Sequence, residues 1–328
     1  MISAYPEGSQ DRDRWIVAKR PPRNEIDPQR PYAFFVEQER SDSGEVIPVA
    51  AIFLTNRECP WRCLMCDLWQ NTLTWSVPPG AIPAQIDYAL SRLPASREIK
   101  LYNSGSFFDP QAIPLEDYES IAARLHCFDR VIVESHPALV NTACLRFRDL
   151  LREQGDIRLE VAMGLETVHA GILERLNKRM TLEQFAPASD ILRKNEIALR
   201  VFVLVKPPFL DESEAQYWAE RSVDFAFDCG ATVVSLIPAR PGNGALEALA
   251  ESGNFSPPNA TALEASLDYG ISLGRGRVFA DLWNLRQFSK CDLCFPARSA
   301  RLQDMNLRQT VLPPVQCESC RETSASSF

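Results

Sequence analysis

The sequence predicts an α/β protein in which short strands alternate with helices along most of the chain. Six apolar runs recur from about residue 47, and each is apolar enough to be buried on both faces, as strands of a parallel sheet are. Segments with helical spacing separate them. Strand-then-helix units of this kind indicate a parallel sheet built from right-handed crossovers. The six runs are residues 49–54, 99–102, 131–133, 159–163, 199–205 and 233–237.

The intervening helices are recognised by apolar residues three or four positions apart. Periodicity does not decide between two arrangements of the sheet, an open doubly wound sheet and a partial (β/α)6 barrel. Polar or Gly-containing segments follow several strands, which suits a barrel whose chemistry lies at the carboxyl ends of its strands. The expected helical stripes lie within residues 86–93, 121–125, 145–151, 185–192 and 218–227, with a further helix over 260–273.

Composition divides the chain into three regions. Residues 1–46 are rich in Pro, Arg and acidic residues and are expected to form an irregular N-terminal extension. Residues 47–255 carry the alternating pattern and form the predicted barrel. Residues 256–328 are expected to form a C-terminal extension with a small Cys-rich module, and residues 324–328 are expected to be disordered.

Bulk properties narrow the functional classes. The 328 residues are 45% hydrophobic and 24% charged, which is ordinary for a globular protein with a sizeable core. The net charge of −8 lacks the basic balance usual in nucleic-acid binders. No apolar run approaches the length that spans a bilayer, and the N-terminus does not resemble a signal peptide. The expected location is cytoplasmic, where clustered cysteines indicate metal ligands.

Cys59, Cys63 and Cys66 form a C-x3-C-x2-C triplet directly after the first predicted strand. Three thiolates so close in sequence can bind one side of a cubane iron–sulfur cluster and leave the fourth iron without a protein ligand. Electron-transfer [4Fe–4S] clusters take four cysteines. The triplet therefore indicates an iron that binds something exchangeable. The alternative, a zinc site, needs a fourth ligand, and no histidine lies nearby.

The triplet and several longer strings resemble the radical S-adenosylmethionine (SAM) superfamily. Within it, the likeness is to the family of archaeosine synthase radical SAM subunits, in the branch with Elongator-type and methylthiotransferase-like enzymes. It extends over about residues 48–320 and implies a partial (β/α)6 TIM-type barrel. The strings that carry it are residues 100–110, 131–135, 159–167, 176–178 and 203–210.

The resemblance implies roles for the strand-end residues. Cys59, Cys63 and Cys66 hold the [4Fe–4S] cluster, and SAM binds beside it in a pocket at the ends of later strands. A strand-to-helix turn, a structural ion pair and a solvated rim charge remain the alternatives for these positions. The residues expected in the SAM pocket are Ser104, Gly105, Ser106, Glu134, Glu166 and Lys206, and Arg240 is a further candidate to face an anionic group.

Other reactive side chains carry weaker signals. Histidine as a residue type titrates near neutrality, but the sequence shows no partner for acid–base work at His136 or His169. Cys127, Cys144 and Cys229 lie in apolar helical contexts and are expected to be core thiols. No catalytic residue is assigned from the sequence.

Four further cysteines near the C-terminus form a C-x2-C-x22-C-x2-C pattern. Two such pairs make a four-thiolate site with the layout of a zinc ribbon. Four thiolates also suit a second [4Fe–4S] cluster, so both metals remain open, with zinc favoured. The residues are Cys291, Cys294, Cys317 and Cys320.

The implied function is that of a radical SAM enzyme. Such an enzyme reductively cleaves SAM at its cluster to a 5′-deoxyadenosyl radical, which abstracts a substrate hydrogen. The resemblance points to C–N bond cleavage in a modified tRNA nucleoside, although the net charge does not support tRNA as a partner. The alternatives are a free small metabolite as substrate, an aminocarboxypropyl radical as the reactive species, or a non-enzymatic Fe–S or zinc scaffold. The resemblance also implies an electron donor such as a flavodoxin or ferredoxin. No membrane partner is expected.

Overall fold

The computed structural model describes residues 4–320, so the segment 324–328 that was expected to be disordered lies outside the described residues. Within them, eight strands form a single sheet in sequential order, and all neighbours are parallel except the first pair, which is antiparallel. The strands are β1 (Ala33–Arg40), β2 (Val46–Phe53), β3 (Glu98–Tyr102), β4 (Arg130–Glu134), β5 (Arg158–Glu166), β6 (Ala198–Val205), β7 (Val233–Pro238) and β8 (Arg277–Ala280).

Helices connect the parallel strands and cover the sheet. Their apolar stripes pack on strand residues such as Ile99, Val131 and Val201, which are fully buried. This burial supplies most of the driving force for the fold. The α-helices are α1 (Ser9–Lys19), α2 (Ala81–Leu90), α3 (Tyr118–Arg124), α4 (Thr142–Gly155), α5 (Ala170–Arg175), α6 (Leu182–Lys194), α7 (Ala215–Asp228), α8 (Ala245–Glu251), α9 (Ala260–Ser272) and α10 (Phe295–Arg308).

The predicted α/β partial barrel is confirmed. All six predicted strands are present as β2 to β7, and the structure adds β8 as a seventh parallel strand. The strictly sequential strand order is that of a barrel, since a doubly wound sheet reverses its strand order. Among the described residues, no helix is both long enough and apolar enough to cross a membrane.

The N-terminal extension is ordered, and the expectation that it would be irregular is wrong. It contains helix α1 and strand β1, which pairs antiparallel with β2 along its whole length. Alternate residues of β1, Phe34 and Val36, pack on the hydrophobic core. Glu37 and Glu39 of the same strand both accept hydrogen bonds from Lys100 of β3.

Ion pairs occupy the amino-terminal half of the barrel. Glu160 is fully buried and accepts from Arg130 Nη1 at 2.9 Å and from Arg200 Nε at 2.7 Å. Arg200 also donates to Glu39 of β1. Buried charges are tolerated only when each has a partner, because removing one leaves an uncompensated charge in the interior. The network therefore ties β1, β4, β5 and β6 together beneath the functional end of the barrel.

Helix α10 contacts both open edges of the sheet, β1 and β8. Its side-chain amides pair with the free backbone edge of β8. Asn306 accepts from Ala280 N at 2.9 Å and donates to Ala280 O at 2.8 Å, and Gln309 makes the same two bonds with Val278. These bonds satisfy backbone groups that an edge strand otherwise leaves unpaired. The helix thereby holds the C-terminal extension against the barrel.

Candidate cofactor site and four-cysteine metal site

The cysteine triplet lies on the loop that follows β2, at the carboxyl edge of the sheet. Burial raises the pKa of the Cys59, Cys63 and Cys66 thiols to about 12, and each thiol also raises the pKa of a neighbour in the triplet. The three sulfurs are therefore close enough to interact electrostatically. Buried thiols of this kind ionise when a metal binds them, so the donor set fits an iron–sulfur cluster.

Backbone contacts hold the triplet loop in place. Leu64 N donates to Leu176 O at 2.9 Å, Asn243 Nδ2 donates to Leu64 O at 2.7 Å, and Asn177 Nδ2 donates to Arg62 O at 2.9 Å. All three bonds use main-chain atoms of the loop. The thiols themselves are not needed to fix its conformation and are available as ligands.

The segment after β3 lies against the triplet. A Cβ atom at Gly105 would come within 3.1 Å of Cys59 Cβ, so the backbone approaches the cysteine more closely than most side chains permit. Ser104 has a left-handed backbone with φ of 55°, and its hydroxyl shares a 3.0 Å hydrogen bond with the Tyr32 hydroxyl. Ser106 Oγ accepts from His136 N at 2.8 Å. Of these three predicted pocket residues, Gly105 thus lies directly beside the cysteine loop.

Glu134 ends β4 and supports the same segment. Its Oε2 accepts the Asn103 N–H at 3.1 Å, and the N–H groups of Ser104 and Gly105 also lower its pKa. Burial has the larger effect and raises the pKa of Glu134 to about 7. The sequence predicts Glu134 in the SAM pocket, and the structure shows its carboxyl group in contact with the backbone of the segment after β3.

Glu166 ends β5 and forms a buried ion pair with Lys178 at 2.5 Å. A β-bulge lies between Gly164 and Glu166, and Glu166 has a φ of 68°. A Cβ atom at Gly164 would lie 2.2 Å from both charged groups, so only glycine leaves room for the pair. Lys178 also interacts with the Cys59 and Cys63 sulfurs. It places a cation beside the thiols.

Lys178 is a site residue that sequence reasoning missed. Its partner lies twelve residues earlier in the chain, and no spacing rule for helices or strands connects the two positions. The one sequence signal for this segment is that residues 176–178 form one of the strings that carry the family resemblance. Only the folded chain brings the two residues together, because the bulge in β5 turns Glu166 toward the cysteine loop.

Lys206 and Arg240 are both paired with carboxylates. Lys206 Nζ lies 2.8 Å from Glu212 Oε2 and 2.5 Å from Ser256 Oγ, and Arg240 Nη2 lies 2.9 Å from Asp281 Oδ2. Lys206 is buried and, like Ser104 and Glu166, has a positive φ. Such backbones cost energy in non-glycine residues and cluster at functional sites. They occur here at the carboxyl ends of β3, β5 and β6.

His136 and His169 both serve structural roles. The His136 ring stacks on Trp61 of the triplet loop, with centroids 3.8 Å apart and planes at 11°. Its Nδ1 accepts from Ala138 N and its Nε2 lies 3.1 Å from Lys178 O, and burial lowers its pKa to about 3. Both ring nitrogens are occupied, so the neutral ring positions the triplet loop. His169 Nδ1 caps helix α5.

The C-terminal cysteines form one compact group. All four sulfurs lie within 4.8 Å of one another, with Cys291 and Cys317 at 3.8 Å and Cys294 and Cys320 at 3.7 Å. A tetrahedral ion with metal–sulfur bonds of about 2.3 Å places its sulfurs about 3.8 Å apart. A cubane cluster separates its cysteine sulfurs further, because each binds a different iron. The spacing fits a single ion.

Helix α10 supports this group from one side. Arg298 pairs with Glu264 at 2.9 Å and also interacts with the Cys294 sulfur, which places a cation beside one of the proposed metal ligands. Arg301 pairs with Asp268 at 2.7 Å and donates to Leu312 O at 2.7 Å. The latter bond directs the returning chain toward the first cysteine pair.

The three remaining cysteines differ from one another. Cys144 is fully buried in the core, as predicted, and Cys229 is half-buried against it. Cys127 is exposed, so its prediction as a core thiol is wrong. It lies in the turn after α3. The apolar neighbours that suggested burial face the core, whereas Cys127 faces solvent.

Comparisons with known proteins give the likeness of this chain in sequence and in fold. No protein-family model matches the sequence. Over 233 residues the chain is 30% identical to archaeosine synthase subunit beta of Methanosarcina acetivorans, which covers 66% of this chain and 65% of that protein. It is 25% identical over 247 residues to an uncharacterized protein of Methanocaldococcus jannaschii, covering 71% and 67% respectively. The structure of methylornithine synthase matches with a TM-score of 0.50 and 14% identity, over 81% of this chain and 74% of that chain.

The predicted resemblance to archaeosine synthase subunits is confirmed. The structural match shows the shared barrel fold, and the sequence matches show the likeness to archaeosine synthase subunit beta. The chain spans about two thirds of the two relatives above and 51% of a third, archaeosine synthase subunit beta of Thermococcus kodakarensis.

Proposed function

We propose that the protein is a radical SAM enzyme whose cluster is held by Cys59, Cys63 and Cys66. The observation that carries this proposal is the close approach of the segment after β3 to the first of three neighbouring cysteines, since a Cβ atom at Gly105 would lie 3.1 Å from Cys59 Cβ. When bound, the cluster supplies the electron that cleaves SAM to methionine and a 5′-deoxyadenosyl radical, which abstracts a substrate hydrogen. The chain's own residues bind and orient the cofactors.

The SAM pocket is assigned to the strand ends around the triplet. Gly105 permits close approach to the cluster, and Glu134 fixes the backbone of its segment. The buried Asn103 Oδ1 has no hydrogen-bond donor among residues 4–320, which makes it an acceptor for the ligand's ammonium group. Lys178 offsets the negative charge of the thiolates. The remaining assigned residues are Ser104, Ser106, Glu166 and Lys206.

Release of 5′-deoxyadenosine tests the proposed activity. Protein reconstituted anaerobically, reduced with dithionite and supplied with SAM is expected to release 5′-deoxyadenosine, slowly even without substrate. Cys63→Ala is the matched inactive control. Fully cluster-loaded protein that releases none would overturn the proposal in favour of a non-enzymatic scaffold. Methylthioadenosine in its place would identify an aminocarboxypropyl radical.

The proposed substrate is a modified nucleoside in tRNA, with cleavage of a C–N bond. The sequence likeness to archaeosine synthase subunit beta supports this class. A free small metabolite is the second candidate, and the net charge of −8 favours it. Binding of unmodified bulk tRNA, measured as a function of salt, separates the two, because phosphate contacts weaken as salt rises. Absence of binding even at low salt would exclude the tRNA substrate.

The four C-terminal cysteines are assigned to one structural zinc ion. The sulfur spacing supports a single tetrahedral metal. Metal analysis of the anaerobically purified protein is expected to give about four irons and about one zinc per chain. About eight irons would instead identify a second cluster. We further assign a flavodoxin or ferredoxin as electron donor and the cytoplasm as location.

A further inference from the structure

The N-terminal segment 5–24, here called the strap, lies across the triplet loop. Trp15 and Ile16 of α1 pack with Leu64, which lies between two of the cysteines and is fully buried. Asp13 of α1 accepts a 2.8 Å hydrogen bond from Asn177, the same side chain that donates to the loop backbone. The strap therefore covers an apolar loop residue and braces a polar contact of the loop.

Glu58 joins the strap to the triplet. It directly precedes Cys59, and only 10% of its side chain is exposed. Its carboxylate accepts from Arg20 at 2.7 Å and also from Arg23, both in the strap, and it lies 3.1 Å from Arg62 within the loop. Three arginines on one carboxylate leave a net positive charge beside the first cysteine.

The same two strap arginines also contact the part of the loop that follows the three cysteines. The Arg20 guanidinium lies 4.5 Å from the centre of the buried Trp69 ring, and Arg23 lies 5.6 Å from it. Arg23 Nη1 also donates to Thr72 Oγ1 at 2.7 Å and to the Trp69 carbonyl. The strap thus binds the chain on both sides of the three cysteines, through Glu58 before them and Trp69 after them.

Gly244 shows how closely the strap fits. A Cβ atom at this position would lie 2.0 Å from Lys19 O, at the end of α1, so any side chain would push the strap away. Gly244 also has a φ of 80°, which glycine adopts without strain. The first turn of α8 and the strap are therefore in direct backbone contact.

We propose that the strap holds the triplet loop closed over the cluster, and that Glu58 is the positioning residue that couples the two. The proposal rests on the proposed function, since it requires a cluster at the triplet. The strap excludes solvent and oxygen from the cysteine loop, and its arginines add positive charge near the cluster. Positive charge favours the reduced, more negative state and so raises the reduction potential.

Arg20→Gln tests the strap, with Arg14→Gln as the matched control. Arg14 lies in helix α1 of the strap, has a side chain that is 74% exposed, and pairs with Asp11 of the same helix. Each variant is reconstituted anaerobically, and two quantities are measured: the rate of cluster bleaching in air-saturated buffer and the midpoint potential of the cluster. Arg20→Gln is expected to bleach about tenfold faster than Arg14→Gln, as a loop that opens more often exposes its cluster more often. Its potential is expected to be lower.

Gly244→Ala provides an independent variant that changes no charge. It is expected to speed bleaching as well, because the added methyl group displaces the strap at Lys19. Equal bleaching rates and potentials in cluster-loaded wild-type protein, Arg20→Gln and Gly244→Ala would overturn the strap proposal alone. Wild-type protein that takes up no cluster would overturn the proposed function, and the strap proposal with it. If Arg20→Gln does not fold, the bleaching rate of Gly244→Ala decides.

Discussion

The two cysteine sites of this protein are built for opposite purposes. The triplet offers three half-buried cysteines on one loop, held by contacts to the loop backbone and by the strap. The quartet offers four sulfurs within 4.8 Å, drawn from two turns 26 residues apart. A closed set of four ligands completes the coordination of one ion, whereas a three-ligand set leaves a position for a substrate or cofactor.

The two sites nevertheless share one arrangement of charges. Each has a cation beside its sulfurs that is itself paired with a glutamate, Lys178 with Glu166 at the triplet and Arg298 with Glu264 at the quartet. The cation reduces repulsion among the thiolates, and the glutamate holds it in place. What distinguishes the sites is therefore ligand number and spacing, and each difference can be tested by substitution.

Substitution within the triplet is expected to have the largest effect. Cys63→Ala leaves two thiols, too few to retain a cubane cluster, so bound iron and release of 5′-deoxyadenosine should both fall to background. Cys127→Ala, at an exposed cysteine outside both sites, is the control and should keep both. Iron analysis and product chromatography measure the outcome. Full iron content in Cys63→Ala would show that the triplet does not hold the cluster.

Substitution within the quartet should remove one metal and spare the other. Cys317→Ser is expected to lose its zinc while the iron content stays at the wild-type value. Without the metal the second cysteine pair is no longer linked to the first, so the chain beyond α10 is expected to become protease-sensitive. Limited trypsin digestion at the exposed Arg308 measures this. Loss of iron together with zinc would contradict the independence of the two sites.

The sequence predicted the parts of the fold that follow hydrophobic rules. Strands β2 to β7 are apolar on both faces and are visible as such. Strand β1 was missed because Glu37 and Glu39, which suggest a surface, face buried cations contributed by distant strands. The ligand cysteines were found by their spacing. Lys178, Asn306 and Gln309 were not, because their roles depend on partners that only the folded chain brings near.

The paired cations should differ in their importance for stability. Lys178→Met leaves the buried Glu166 without a partner and is expected to lower the free energy of unfolding by about 3–5 kcal/mol. Arg298→Met should cost less, because Arg301 remains near Glu264 and lowers its pKa. Urea denaturation of both variants measures the difference. Equal losses would show that Glu264 depends on Arg298 as strongly as Glu166 depends on Lys178.

Glu134 is expected to have the smallest effect on stability. It should make the free energy of unfolding depend on pH, and this dependence belongs to the triplet site alone. Burial raises its pKa to about 7 in the folded protein, above the ordinary value of 4.5 in the unfolded chain. The folded state therefore binds the proton more tightly. The resulting stabilisation is complete below the unfolded pKa and is lost as the pH rises through the folded pKa.

Comparison with Glu134→Gln isolates this contribution, because the amide is uncharged at every pH and keeps an oxygen that accepts the Asn103 N–H. Wild-type protein should lose roughly 2 kcal/mol of unfolding free energy relative to the variant between about pH 5 and about pH 8. Urea denaturation across this range measures the difference. A constant difference between the two proteins would mean that Glu134 stays ionised, with the three backbone N–H groups of its loop outweighing its burial. The carboxylate would then add a fixed negative charge to the triplet site, for which the quartet has no counterpart.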